Sequence, residues 1–302
     1  MNKDKLTFLF PGQGSQYKGM GSNIYKKFNT TEKLYTQASD ILGYDLKKIS
    51  FDTDSNDINK TIYTQPAIFT YSIAIDRILK KFNYYPKSVA GHSLGEYSAL
   101  VSNGCISFES ALNIIKHRAK LMDNCGTKRP GKMVAVINLD IKDIKDIISL
   151  SKSNIVIANY NSNKQIIVSG DSKDIDNFIS YCKKNKFRGI IPLNVSGAFH
   201  SPLMEDAKIS LEKIINNTKF NDVNIPIYQN YMPDKNINGN KIKNNLINQL
   251  TSPVLWLNTV NNIVKDNFID FIEVGPGNVL RNLNKNINKN LNNVDYKEII
   301  KE

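Results

Sequence analysis

Val89-Ala90-Gly91-His92-Ser93-Leu94-Gly95-Glu96 is the stretch on which the fold turns. Its centre has the form Gly-x-Ser-x-Gly. Between a strand and a helix, that spacing makes a nucleophile elbow. The turn is so tight that the flanking residues must be small, hence Gly91 and Gly95. Ser93 is then pushed out at the top of a sheet with its hydroxyl exposed. The surroundings fit, since Ser88 to Ala90 can end a short strand and Leu94 to Val101 can begin a helix. The N-terminal N–H groups of that helix would face negative charge developing near Ser93. A five-residue glycine pattern also arises by chance in loops, so the rest of the chain must decide.

Upstream, Leu6 to Phe10 is a short apolar run that reads as a buried strand. It ends in Pro11-Gly12-Gln13-Gly14-Ser15-Gln16. A dinucleotide-binding loop would continue to a third glycine, but position 17 is tyrosine. Gly12 and Gly14 therefore read as space for a backbone N–H, such as that of Gln13, to approach a ligand oxygen. Asn29 and Glu32 have capping spacing for a helix through Leu42, stopped by Gly43. Thr64-Gln65-Pro66 reads as the opening of another helix. Its residues Ile68, Tyr71, Ile75, Ile78, Leu79 and Phe82 form one apolar stripe.

Downstream of the elbow, Ser107 starts a helix with Ala111, Ile114, Ile115, Leu121 and Met122 on its apolar side. Arg118 falls among them. A guanidinium on a core-facing stripe is costly unless paired. Either it meets an internal carboxylate, which the residues alone favour, or it awaits an anionic substrate. His117 falls nearer the polar side.

From Lys132 the texture changes. Met133 to Leu139 reads as a strand, Ile141 to Leu150 as a helix, and Ile155 to Tyr160 and Gln165 to Ser169 as a hairpin. Ile175 to Lys184 reads as a helix and Gly189 to Val195 as a strand. This β-α-β-β-α-β order is ferredoxin-like. It predicts a small domain over residues 131–196, inserted between two parts of a large one, residues 1–130 and 197–302, with Gly126 to Gly131 as the linker. Strands alternate with helices on both sides of the insert, which predicts an α/β fold with a parallel, doubly covered sheet. After the insert come a helix over 203–216, a strand over 225–229, helices over 246–250 and 254–264, and a strand over 268–274. That strand ends in Gly275-Pro276-Gly277, and a further helix follows.

The 302 residues are 41% hydrophobic, enough for a sizeable core. No apolar run approaches the ~18 residues of a membrane span, and no signal peptide is recognisable at the start. Cys105, Cys125 and Cys182 make neither a metal spacing nor a disulfide framework, which suits the cytoplasm. The net charge of +12 is spread along the chain without a nucleic-acid-binding motif. It argues against a nucleic-acid ligand and leaves an acidic protein as a fitting partner.

A serine needs a base to become a nucleophile. Of the three histidines, His92 adjoins Ser93 and should diverge from it on a tight turn, and His117 lies on a polar face. His200 remains, in a Gly/Ser/Pro-bearing loop just after the insert, unless it is an ordinary loop histidine. Leu94, the residue after the nucleophile, supplies one oxyanion N–H, and Gln13 is placed to supply the second. No convincing acid stands out to orient the histidine. Asp206 is near in sequence but equally well a surface charge.

Taken together, the Pro11 to Gln16 and Gly91 to Glu96 segments, Arg118, Gly197-Ala198-Phe199-His200-Ser201 and Glu273-Val274-Gly275-Pro276-Gly277 resemble the malonyl-CoA:acyl-carrier-protein transacylases. The resemblance runs essentially end to end. It implies an α/β-hydrolase-like large domain with a ferredoxin-like insert, Ser93 as nucleophile, His200 as base, and Gln13 and Leu94 as oxyanion donors. It implies that Arg118 binds the free malonyl carboxylate, reversing the internal-salt-bridge preference. Carbonyl oxygens rather than a carboxylate would steady the histidine, and Gln249, in Asn248-Gln249-Leu250-Thr251-Ser252-Pro253, matches the position tied to that role. Asn161 matches a region on the CoA or carrier side. Phe199 would crowd a methyl on the substrate's α-carbon. Malonyl-CoA and the acidic, phosphopantetheinylated acyl carrier protein are the implied substrates, with no metal or other cofactor and a monomeric enzyme. A chain with no fused module favours fatty-acid over polyketide synthesis. The rival reading is a serine esterase or thioesterase on the same scaffold. A non-catalytic module that recruits the carrier has less support, because every chemical position is filled.

Overall fold

The computed structural model describes residues 1–301. In chain order its elements are β1 (Leu6–Phe10), α1 (Ser22–Lys27), α2 (Asn29–Leu42), α3 (Leu46–Phe51), α4 (Thr61–Lys81), β2 (Ser88–Gly91), α5 (Gly95–Ser102) and α6 (Phe108–Lys128). Then come β3 (Gly131–Ile137), α7 (Ile141–Leu150), β4 (Ile155–Ser162), β5 (Gln165–Asp171), α8 (Ser172–Lys184) and β6 (Ile190–Pro192). The last part holds α9 (Glu205–Asn216), β7 (Ile227–Tyr228), β8 (Lys235–Asn236), α10 (Gly239–Asn248), α11 (Trp256–Lys265), β9 (Asp270–Glu273), α12 (Val279–Ile287), β10 (Asn292–Val294) and α13 (Tyr296–Ile300).

β1 is buried at all five positions, because helices cover both faces of the sheet at whose centre it lies. The order is β10-β9-β1-β2-β7-β8, with every pairing parallel except the β7–β8 hairpin. Alternate residues divide the core. Phe8, Phe10, Val89, Ile227 and Ile272 pack into the larger cluster with α2, α4, α5 and α6. Leu9, Ala90, Tyr228 and Phe271 pack on the other side against Trp256, Val260 and Ile263 of α11 and Leu280 and Leu283 of α12. The parallel register sets the carboxyl ends of β1 and β2 side by side, with Phe10 opposite Gly91. The Gly12 loop and the elbow therefore emerge together.

The second sheet has the order β4-β5-β3-β6 and is antiparallel throughout. With α7 and α8 it forms the expected ferredoxin-like βαββαβ unit. Val134, Val136, Ile166 and Val168 pack against its own helices, with Ile144, Ile147, Ile175, Phe178 and Cys182. The alternate residues Met133, Ala135 and Ile167 turn to the large sheet.

Several local expectations change. α6 continues to Lys128, so the linker shrinks to Arg129-Pro130. Gly126 is a buried helical residue where a Cβ would collide with the carbonyl of Ser196. α2 starts at Asn29 without a side-chain cap, because Phe28 takes the cap position and packs edge-on against Phe82, 6.4 Å between ring centres. α4 starts at Thr61, with Pro66 inside it, and is buried almost all round rather than along one stripe. Phe82, assigned to that stripe, caps the helix and is 41% exposed. The strand expected over 189–195 is only Ile190–Pro192, with single backbone bonds to β3 beyond each end, Ile137 N to Gly189 O and Leu193 N to Met133 O, both 2.9 Å. β8, β10 and α13 were not anticipated. β10 reads Asn-Asn-Val, so polar side chains hide an edge strand.

Candidate active site

Ser93 sits at the tip of the elbow with φ +50, in the left-handed region that L residues avoid. Backbone crowding holds it there. A Cβ on Gly91 would strike Gly95, one on Gly95 would strike the Phe10 carbonyl, and one on Gly12 would strike the His92 carbonyl. Asn230, two residues past β7, locks the turn. Its Oδ1 accepts from Ser93 N at 2.6 Å and its Nδ2 donates to the Gly91 carbonyl at 2.6 Å.

His200 comes to this point from the loop before α9, also with positive φ, +55. Ser201 Oγ braces that loop by donating to the Ala198 carbonyl at 2.6 Å. His200 Nε2 lies 2.8 Å from Ser93 Oγ. Its Nδ1 faces two carbonyl oxygens, those of Gln249 at 3.0 Å and Ser252 at 3.2 Å. Carbonyls only accept, so Nδ1 carries the proton and Nε2 is the bare nitrogen that accepts from the serine hydroxyl. Burial, and then the Arg118 cation, push the imidazole down to about 3. It is therefore neutral at pH 7. No acid is needed to hold it. Asp206 is exposed on α9, and Glu96, the buried carboxylate nearby, gives its oxygens to Gln229, Asn230 and Gln249 instead.

Arg118 is 1% exposed yet lines the cleft. The internal salt bridge that its helix position favoured is absent: no carboxylate among the described residues forms an ion pair with it. Nη1 donates to Gln65 Oε1 at 2.8 Å, and Nη2 donates to Ser93 Oγ at 3.0 Å and more loosely to Gln249 Oε1 at 3.4 Å. Its Tyr97 neighbour lies under the guanidinium, 5.6 Å from ring centre to Cζ. The Ser93 hydroxyl oxygen thus meets a bare imidazole nitrogen and an unneutralised cation at once.

The cleft around them is about 230 Å³, between the two sheets. Gln13 and Leu94 line it, as do Phe199 and Asn161. Leu94 N opens α5 beside the serine, and Gln13 is tied through Nε2 to Thr61 Oγ1 at 3.1 Å. Asn161 Oδ1 accepts from His92 Nε2 at 2.8 Å, so His92 does diverge from Ser93, towards the small sheet. All eight residues singled out from sequence, Ser93, His200, Gln249, Gln13, Leu94, Arg118, Phe199 and Asn161, lie in this one place. Gln249 acts there with its backbone carbonyl on His200 and with its side chain on Ser93, Glu96 and Arg118. Sequence reasoning missed Ser252, Asn230, Gln65 and Glu96. Only Glu96 left a trace, as a charge written into the apolar helix after the elbow. Glu273, quoted only as part of a motif, caps α12 by accepting from Leu280 N and Arg281 N at 3.0 and 2.9 Å.

Residues 7–301 match the acyl transferase domain family. The chain is 36% identical over 284 residues to a malonyl CoA-acyl carrier protein transacylase of Bacillus subtilis, covering 93% of this chain and 90% of that one. Among solved structures, the malonyl transacylase MCAT of Streptococcus pneumoniae superposes with a TM-score of 0.89 at 34% identity, over 96% of this chain and 95% of that one. A malonyl-transacylase solved with its type II PKS acyl-carrier protein superposes with a TM-score of 0.91 at 33% identity, over 96% and 95%. The chain is an acyltransferase of the acyl transferase domain family and belongs, within it, to the malonyl CoA-acyl carrier protein transacylases.

Proposed function

We propose that this chain transfers malonyl from malonyl-CoA to the phosphopantetheine thiol of acyl carrier protein through a malonyl ester on Ser93. One observation carries the mechanism: a neutral His200 Nε2 and the Arg118 cation stand 2.8 and 3.0 Å from the same Ser93 Oγ.

His200 Nε2 takes the hydroxyl proton as Ser93 Oγ bonds to the thioester carbonyl carbon. The two carbonyls on Nδ1–H stabilise the imidazolium that forms. The carbonyl oxygen becomes an oxyanion and is met by the N–H groups of Leu94 and Gln13. The carbon–sulfur bond then breaks, and His200 returns the proton to the departing CoA sulfur. In the second half the carrier thiol loses its proton to His200 and attacks the ester. Ser93 leaves with that proton and the malonyl group stays on the carrier sulfur. Arg118 binds the free carboxylate through a charge-assisted pair, and Phe199 walls the α-carbon against a methyl branch. Asn161 lies on the side by which CoA or carrier enters. None of these steps calls on a metal or redox group.

The carrier is acidic, and a chain of net charge +12 suits it. We take the enzyme to be a cytoplasmic monomer serving fatty-acid synthesis, with no nucleic-acid ligand. Nucleophile, base and cation all come from a single chain, and its three cysteines are free thiols. The test is mass spectrometry of the protein mixed with malonyl-CoA and then chased with phosphopantetheinylated carrier. A malonyl adduct on Ser93 that moves to the carrier is expected. Intact enzyme with no adduct overturns the mechanism. CoA release that matches transfer in rate without any carrier favours the thioesterase reading.

A further inference from the structure

Glu96 is the buried charge beside Ser93 that the mechanism leaves unused. It is 0% exposed on the first turn of α5, three residues from the nucleophile. Burying a carboxylate without a counter-ion is costly unless donors surround it. Three do. Oε1 accepts from Gln229 Nε2 at 2.9 Å, and Oε2 accepts from Asn230 N at 2.9 Å and Gln249 Nε2 at 3.0 Å.

An ionised carboxylate only accepts, so each group facing it must present N–H. For a carboxamide, that decides which end points where. Gln249 Nε2 is committed to Glu96 Oε2 and to the Ser93 carbonyl at 3.0 Å. Its Oε1 is then the atom left towards Arg118 Nη2. Reversed, the amide would set N–H against the guanidinium and a carbonyl against a carbonyl. Nη2 has two protons; one goes to Gln249 Oε1 and the other to Ser93 Oγ. The result is a polar chain from carboxylate through amide to guanidinium, ending on the nucleophile. A direct Glu96–Arg118 pair would have filled the fork that a substrate carboxylate needs. The intervening amide takes one Nη2 proton, loosely at 3.4 Å, and brings no counter-charge, so it aligns the cation while leaving it unneutralised for a substrate carboxylate.

We propose that Glu96 is a positioning residue for acyl selectivity: through the Gln249 carboxamide it holds Arg118 with Nη2 beside Ser93, ready for an acyl chain that ends in a carboxylate. The inference rests on the malonyl-transfer reading, and the wild-type protein tests that reading first. If it carries malonyl to the carrier no faster than acetyl, the functional reading itself fails.

The experiment then measures kcat/KM for malonyl-CoA and acetyl-CoA on the same preparation of each variant, so that lost active protein cancels in the ratio. E96Q keeps the side-chain shape but brings an N–H into a ring of donors. The malonyl-to-acetyl ratio is expected to fall by about tenfold, the worth of one misaligned charge-assisted hydrogen bond, chiefly through a raised KM for malonyl-CoA. Added to Gln249→Met, which keeps the backbone carbonyl on His200, E96Q is expected to change the ratio by less than about twofold, as for residues acting in series. Equal losses on both substrates in E96Q would make Glu96 merely structural and overturn the proposal. So would the same fall in ratio with and without the Gln249 amide. Gln249→Met alone is a second route: it must lower the ratio, and an unchanged ratio refutes the relay however E96Q folds.

Discussion

The two walls of the cleft are built on different terms. On the large-sheet wall, Ser93 and His200 both hold positive φ, and a cation and a carboxylate are buried behind them, with both Glu96 oxygens and both Arg118 Nη atoms hydrogen-bonded and Arg118 Nε left without a partner. On the small-sheet wall, Met133, Ala135, Ile167 and Gln165 stand on regularly paired strand, while Asn159 and Asn161 sit at two register shifts of β4 against β5. None of the lining residues there has a positive φ among the described residues. One wall stores strain, about 1–3 kcal/mol per such residue, and matched polar contacts to aim reacting atoms. The other presents its surface by the alternation of a strand, re-aimed at the two register shifts of β4. Function is thus brittle on the first wall and tunable on the second. The walls are still joined: His92 bonds Asn161, and Val254, two residues beyond the Ser252 carbonyl that steadies His200, exchanges backbone hydrogen bonds with Ala158 and Tyr160 at 2.8 and 2.9 Å.

The sharpest contrast is expected between Ser93→Ala and Asn161→Ala. The first should cut transfer by about 10⁴-fold or more, as loss of a nucleophile does. The second, on the tunable wall, should cost about tenfold or less, one neutral hydrogen bond. Steady-state transfer to carrier measures both, and comparable losses would erase the distinction between the walls. Next, Arg118→Ala should lower the malonyl-to-acetyl preference by about 10²-fold, the cost of truncating one side of a buried charge pair. Equal losses on both acyl-CoAs would show that the cation does not bind the substrate carboxylate.

Two adjacent residues test the small sheet itself. Ile166 packs inside the small unit and Ile167 faces the cleft. Ile166→Ala should cost about 3 kcal/mol of stability in denaturant unfolding and leave KM for malonyl-CoA unchanged. Ile167→Ala should cost less stability and change KM. The reverse assignment would mean that the strand's two faces have been exchanged.

The smallest effect concerns pH. His200 is held at about 3, against about 6.5 for a free histidine. As pH falls from about 6.5 towards 3, the unfolded chain binds a proton that the folded one refuses, so this group's contribution to stability is full above that window and declines within it. By the same logic the base stays neutral, and kcat/KM should show no halving near pH 6.5. An acid limb there would mean that His200 is not desolvated. Arg118→Ala removes the second cause of the depression, so its acid limb should lie higher than in the wild type.

Much of this was open to reading in one dimension because steric rules act locally. Gly91 and Gly95 around Ser93 announce a turn that only small neighbours permit. The β-α-β-β-α-β periodicity announces the small unit, because residues two apart share a strand face and residues three or four apart share a helix face. The resemblance supplied the roles of Gln249 and Asn161, which spacing alone did not. The edge strand β10 escaped because two of its three residues are asparagines, which bond to Asp270 and Asn284 and give no apolar strand pattern, and the cap expected at Asn29 gave way to the packing of Phe28 on Phe82.

The sequence by itself singled out Ser93 at its elbow, the order of the main strands and helices, and the fact that a guanidinium falls on a buried helix face. Only the tertiary structure decided what that guanidinium meets, namely Gln65, Gln249 and Ser93 rather than a carboxylate, and which two carbonyls, those of Gln249 and Ser252, face His200. The reason is distance along the chain. Arg118, His200 and Gln249 lie 25, 107 and 156 residues from Ser93, and no local rule reaches across such gaps until the sheet has folded.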